Sequence, residues 1–304
     1  MTISSVDAVS GAQQASALLS AAWPVPALDY SPHYIAWQFG FPSSENPPLA
    51  VAALEGGAWI GFLGSTPRRI CLQDCIADVS LVSFAAVHPD SRGRGVAAAL
   101  YQELLGRLAS RGAAVITFAQ RATAGVRVIE RAYPAAGYRL QAIGDYCVYG
   151  CIPRVAPTDW TMSQKHDIEF PPLGKAAPWA CSLPDQAQLL HYARDPRPRR
   201  WICVERQGQR AAAWAVETSY RGPAGLSHVQ TLESVWCAAE NASALPALAF
   251  HAGGGMVMAP NVLFWKPWLA KTGFRQTATV FQGYWAVPPG MDWGPVEGTN
   301  LEVV

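Results

Sequence analysis

The chain has 304 residues, of which half are hydrophobic and 15% charged, with a formal net charge of +1. That length suits two domains and that apolar share can fill their cores, while near-neutral charge gives no footprint for a nucleic acid or an anionic membrane surface. No apolar run reaches membrane-spanning length, and Met1–Ser5 lacks the charged and apolar regions of a secretory signal, so a cytoplasmic protein with no membrane partner is expected.

In chain order, residues 11–22 read as a helix stopped near Trp23-Pro24. Ser31-Pro32 is a cap followed by proline at the first helical position, opening a short helix through Tyr34, Trp37 and Phe39 that Gly40 and Pro42 end. These three aromatics are either core or substrate contacts. Residues 49–54 and 58–63 read as strands joined by the turn Glu55-Gly56-Gly57. Residues 69–72 read as a further strand and 79–87 as a buried one. A helix starts at Val96, with Val96, Leu100, Leu104 and Leu108 in one stripe and Gly112 as its stop. A strand at 114–118, a helix across 126–135, a strand from Gly137 and a last strand at 145–149 complete one unit. Cys71/Cys75 and Cys147/Cys151 share a Cys-x3-Cys spacing open to zinc, but no histidine stands nearby. Reduced core thiols are the better reading, and no metal is expected.

The chemistry-bearing stretch lies between strand 79–87 and the helix at Val96: His88-Pro89-Asp90-Ser91-Arg92-Gly93-Arg94-Gly95. The first N–H groups of a helix lack intrahelical partners and carry partial positive charge, and the glycines let a ligand approach the backbone. Such a site binds phosphate. Arg92-x-x-Gly95-x-Ala97 resembles the pyrophosphate signature of the GNAT superfamily of N-acetyltransferases, and Tyr133-Pro134-Ala135-Ala136-Gly137-Tyr138 is similar to its Tyr-x-x-x-Gly-Phe helix end. Two departures stand out: Val126 occupies a position where the family often has asparagine, and Pro134 lies inside the helix.

Residues 152–178 are proline-rich and read as a linker, which divides the chain into domains 1–155 and 156–304. Beyond it the first unit repeats. Lys271-Thr272-Gly273-Phe274 matches Ala135-Ala136-Gly137-Tyr138 at an offset of 136, and Leu232–Ala238 resembles Leu81–Val87 at an offset of 151. About 15 residues are therefore expected to be lost between the two, where the glycine loop should be. Leu269 stands where Tyr133 stands. Three of the 12 tryptophans precede residue 155, so the second copy is the tryptophan-rich one, and Trp265 and Trp268 could line a pocket or a core. Arg197-Pro198-Arg199-Arg200 reads as a solvated basic turn.

The resemblance implies an α/β (α+β) chain of two GNAT-like domains, each with a mixed, mostly antiparallel sheet flanked by helices. The second would be degenerate, lacking the pyrophosphate loop. It implies transfer of an acetyl group from acetyl-CoA, as co-substrate, to the amine of a small molecule or peptide in a ternary complex. Ala85, Ala86 and Val87 would meet the pantetheine arm, and Arg92, Gly93, Arg94, Gly95, Val96 and Ala97 the pyrophosphate. Tyr133 would protonate the leaving thiolate, or else only pack its helix. Glu130 and Ser83 are candidates for the base. The alternative is a non-catalytic coenzyme-binding module. The acceptor and the oligomeric state are not legible in the residues.

Overall fold

The computed structural model describes all residues except 44–45, 73–74, 153–158, 164–178, 183, 237–242, 254, 261–268, 270–272, 292, 294–295, 297 and 301–304. The linker and the pair Trp265/Trp268 therefore fall largely or wholly outside the described residues. In the first half the order is β1 (Thr2–Ser5), α1 (Ala12–Ala22), β2 (Ala27–Leu28), α2 (Pro32–Phe39), β3 (Leu49–Glu55), β4 (Ala58–Leu72), β5 (Cys75–Val87), α3 (Val96–Ser110), β6 (Val115–Gln120), α4 (Ala124–Ala135) and β7 (Arg139–Cys151). The second half runs β8 (Thr161–Met162), β9 (Trp179–Ser182), α5 (Gln186–Tyr192), β10 (Arg199–Arg206), β11 (Gln209–Gly222), β12 (Gly225–Trp236), α6 (Leu245–Ala252), β13 (Gly255–Pro260), β14 (Arg275–Val287) and β15 (Gly298–Asn300).

Two expectations about strands change. Residues 58–63 and 69–72 are one strand, because β4 runs unbroken through Pro67 with β5 along its whole length. Likewise the strand from Gly137 and the one at 145–149 merge into β7. The place that a separate last strand would take is filled from the other half. The sheet order is β1-β3-β4-β5-β6-β14-β7-β13-β12-β11-β10-β8, so β14 lies between β6 and β7, and β7 lies between β14 and β13. Both flanking pairings are antiparallel.

The order is a palindrome in kind. The parallel pair β5–β6 has its counterpart in the parallel pair β12–β13, and the hairpin β4–β5 in β11–β12. A second exchange accompanies the first: β2 of the first half lies on β11, and β9 of the second lies on β4. Each half thus completes the other's sheet, and a single mostly antiparallel sheet carries helices on its faces. Among the described residues no helix is long and apolar enough to cross a membrane.

The helices hold to the sheet by the apolar stripes read in the sequence. Val96, Leu100, Leu104 and Leu108 of α3 are all buried, with Tyr101 and Leu105, against Val51, Leu63 and Val82. Each such side chain contributes about 1.5–3 kcal/mol on burial. On the other face α1 and α2 pack Leu19, Tyr30, Tyr34 and Phe39 against Phe62, Phe84 and Ala86. The α2 cap forms as expected, Ser31 Oγ accepting from the Tyr34 N–H at 3.2 Å.

The repeat survives in detail at the end of α4. The Tyr138 N–H donates to the Tyr133 carbonyl at 3.0 Å, and the Phe274 N–H donates to the Leu269 carbonyl at 3.0 Å. Gly137 and Gly273 both take left-handed φ, 85° and 79°. These three pairs keep the offset of 136 read from the sequence.

Candidate functional site

The site is built around a break in the β4–β5 ladder. Phe62 pairs with Ala86 but Gly64 pairs with Ser83, so β5 carries an extra residue there. Phe84 takes the left-handed region at φ 59°, uncommon for a residue with a side chain and costly unless its surroundings enforce it. On its other edge β5 pairs with β6 only at Ser80, Leu81 and Val82, after which β6 pairs with β14 alone. The edge of Ser83–Val87 facing β6 therefore leaves the ladder. Ala85, Ala86 and Val87 lie on this freed segment, and the Ala85 carbonyl accepts from the Trp23 indole at 3.0 Å.

The end of β5 runs into a short 3-10 turn, Pro89–Ser91, and then into the glycine turn. Gly93 has φ 75° and Gly95 has φ 78°, Gly95 being the N-cap of α3. A side chain would be strained at either position. Arg92, Gly93, Arg94 and Gly95 are exposed, so their backbone faces solvent at the positive end of the helix. The arginine side chains are otherwise engaged. Arg92 donates to the Ala22 carbonyl at the end of α1, and Arg94 forms a two-point ion pair with Glu55 in the β3–β4 turn, 3.0 and 2.5 Å. With both guanidinium groups engaged, an anion at this turn would meet backbone N–H groups more than guanidinium charge. Val96 is buried and Ala97 half-buried.

Tyr133 reaches the same region from α4. Its side chain is fully buried among Tyr101, Tyr138 and α3, and its hydroxyl has no hydrogen-bond partner among the described residues. Burial, with Tyr101 nearby and the Thr117 side chain opposing, pushes the phenol well above its ordinary range, so it keeps its proton. Thr117 pairs with Val82 and donates to its carbonyl at 3.0 Å, at the last rung before β5 and β6 part. The buried hydroxyl thus lies near Thr117 and the rung where β5 and β6 part. Of the two base candidates, Glu130 is exposed on α4 and accepts from the Tyr284 hydroxyl at 3.0 Å, while Ser83 begins the bulge.

The second half repeats the bulge without the turn. Ala212 pairs with Trp236 and Trp214 with Glu233, the same irregularity shifted by 150 residues. The strand match read at an offset of 151 is thus moved by one, and Glu233 rather than Ser234 stands where Ser83 stands. The connections after the two bulged strands are equal in length, residues 88–95 and 237–244. The residues are instead lost downstream, beginning in the helix itself, 15 residues in α3 and 8 in α6. The α6 N-cap is Ala244 in right-handed conformation, φ −75°, where α3 has left-handed Gly95.

Sequence reasoning missed what joins the two bulges. Arg197 and Arg199 are not a solvated basic turn. The Arg197 side chain is 13% exposed, pairs with Glu233 at 2.8 and 2.9 Å and with Asp195 at 2.7 Å, and lies 4.4 Å over the Tyr34 ring. Arg199 lies 3.6 Å over Trp214. A continuous path runs from Phe84 to Tyr30 (5.4 Å), Tyr34 (5.5 Å), Arg197 and Glu233. The two halves also meet at Trp37 and His191, whose rings stack at 5.1 Å and whose N–H groups each donate to the other's carbonyl at 2.9 Å. No spacing rule finds such contacts, since the carboxylate partners lie 2 and 36 residues from Arg197. Of the described tryptophans, Trp160 and Trp285 are fully buried core anchors.

Comparison with known proteins agrees with this geometry. The model of the acetyltransferase (GNAT) family matches residues 12–132. No curated protein matches the chain. Among solved structures, the GCN5-related N-acetyltransferase of Anabaena variabilis is similar over 94% of this chain and 72% of its own, with TM-score 0.56 and 14% identity. The N-myristoyltransferase of Saccharomyces cerevisiae with bound myristoyl-CoA is similar over 100% and 89%, with TM-score 0.65 and 13% identity. At such identities the likeness is one of fold, and it agrees with the similarity of residues 12–132 to the GNAT acetyltransferase family.

Proposed function

We propose that this chain is an N-acyltransferase that moves the acetyl group of acetyl-CoA to an amine, with donor and acceptor bound together. The observation that carries the reading is the left-handed pair Gly93/Gly95 at the start of α3, beside the bulged end of β5 where β5 leaves β6. In this reading the N–H groups of the turn from Arg92 to Ala97 hold the pyrophosphate, and the freed edge of Ala85–Val87 holds the pantetheine arm and polarises the thioester carbonyl. Tyr133, kept neutral by burial, gives its proton to the departing thiolate. Phe84, Tyr30 and Phe39 pack closely behind the bulge, which supports a short acyl group.

The second half then acts as a silent wall of the acceptor side. Ala244 at its helix start and Leu269 in place of Tyr133 remove both chemical parts, while Arg197 and His191 reach the α2 layer of the first half. The reading is tested by titrating the full chain with CoA thioesters from acetyl to myristoyl, then following thiol release with a panel of amines. Binding without turnover on any amine favours the non-catalytic module. Tighter binding and faster turnover of a long chain removes the acetyl assignment.

A further inference from the structure

Arg68 is a buried charge with no carboxylate. It lies on β4 facing α2, is 2% exposed, and forms no ion pair among the described residues. Its Nη1 donates to Thr66 Oγ1 at 3.0 Å and to the Pro67 carbonyl at 2.8 Å, and its Nη2 to Gln38 Oε1 at 3.2 Å. Guanidinium has five N–H donors. Nε–H meets no acceptor, and a second Nη2–H has none either. Gln38 links Arg68 to Tyr34. Because its Oε1 serves Arg68, its amide nitrogen donates to the Tyr34 hydroxyl at 2.5 Å. The Tyr34 O–H is then left as a donor as well. Phe41 lies 5.1 Å from the guanidinium, and the neutral His191 ring packs on Phe41 at 5.0 Å.

The cluster is therefore rich in donors, positively charged, buried and, among the described residues, without an anion. An unpaired buried charge is strongly destabilising, so a fold that keeps one is suited to a ligand that neutralises it. Tyr34 stacks on Tyr30, which touches Phe84 at the bulge, so a run of packed rings connects the cluster to the bulged end of β5. Val79 lies opposite Arg68 and four residues before Ser83, which is about 13 Å at ~3.3 Å per residue.

We infer that the acceptor is an amine that also carries a carboxylate, held by Arg68 and Tyr34 on the order of 10 Å from the reacting nitrogen. This rests on the acyltransferase reading and narrows its substrate class. The geometry favours an ω-amino acid or a short peptide over an α-amino acid.

The test is calorimetric titration of the full chain, with and without CoA, using 6-aminohexanoate, 8-aminooctanoate, their primary amides, and glycine. The acids should bind at least about 10-fold more tightly than the amides, with glycine weakest. Arg68→Gln should bring acid and amide to parity while CoA affinity stays as in the parent. Tyr34→Phe, which keeps the ring stack, should reduce the preference several-fold and carries the test if Arg68→Gln does not fold. Equal binding of acids and amides by the parent, or a preference that survives the substitutions, overturns the assignment. Absent CoA binding would remove the acyltransferase reading instead, and the titrations without CoA would still report on Arg68.

Discussion

The starts of α3 and α6 are the informative pair in this molecule. Each follows a bulged strand at the same register and an eight-residue connection, 88–95 and 237–244. One carries glycines at φ 75° and 78°; the other ends in Ala244 at φ −75°. Strand pairing persists in both halves, as does the left-handed glycine turn of Gly137 and Gly273 that leads into β7 and β14. The helix start at α6 forms without a left-handed glycine, so the pair at the start of α3 is not required by the sheet. The difference separates what holds the architecture from the turn proposed to bind an anion.

The severest way to break this comparison is to separate the halves. Residues 1–155 alone would lack β14, leaving the facing edges of β6 and β7 unpaired. We expect that fragment to be unfolded or aggregated by circular dichroism and sedimentation, and co-expression with residues 156–304 to restore a soluble complex. A soluble, cooperative 1–155 fragment that binds CoA would show the exchange to be dispensable.

Next comes the helix start itself. Gly95→Val should weaken CoA binding on the order of 100-fold or more, because a β-branched residue resists the left-handed region and several charge-assisted N–H contacts go with it. Ala244→Gly should leave CoA affinity within twofold (about 0.4 kcal/mol), at a stability cost under about 1 kcal/mol. Equal sensitivity at the two sites in calorimetry would mean the coenzyme is not held at α3.

The tyrosine and its counterpart sharpen the contrast. Tyr133→Phe should slow the chemical step about 10²–10⁴-fold. It should also leave the protein as stable or more stable by roughly 1 kcal/mol, since it removes an unpaired buried hydroxyl. Leu269→Ala should do the reverse, costing about 2–5 kcal/mol in denaturant unfolding. A Tyr133→Phe variant with unchanged single-turnover rate would reduce Tyr133 to packing.

The smallest effect is a pH dependence at the seam between the halves. Burial, with Arg68 and Arg194 adding to it, lowers the His191 pKa in the folded chain. The unfolded chain then binds the proton more readily, so stability should fall as pH drops below the unfolded value of about 6.5. Replacing His191 by glutamine should flatten that slope in thermal unfolding between pH 7 and 5. An unchanged slope would place the titration elsewhere.

Much of this was legible in the chain. The glycine turn between an apolar strand and a striped helix, the Ser31-Pro32 cap and the Gly137/Gly273 match all rest on contacts within a few residues, where local rules decide conformation. The bulge at Phe84 was not legible, because nothing in Ser83-Phe84-Ala85 marks a left-handed residue; its partner strand imposes it. Neither was the exchange of β7 and β14, which the sequence splits into strands of the wrong owner, since edge pairing is chosen between segments more than 100 residues apart. Arg197 reads as part of a solvated basic turn in one dimension. Only the tertiary structure buries it, against Glu233 and the Tyr34 ring, and burial is what makes a guanidinium depend on a carboxylate partner.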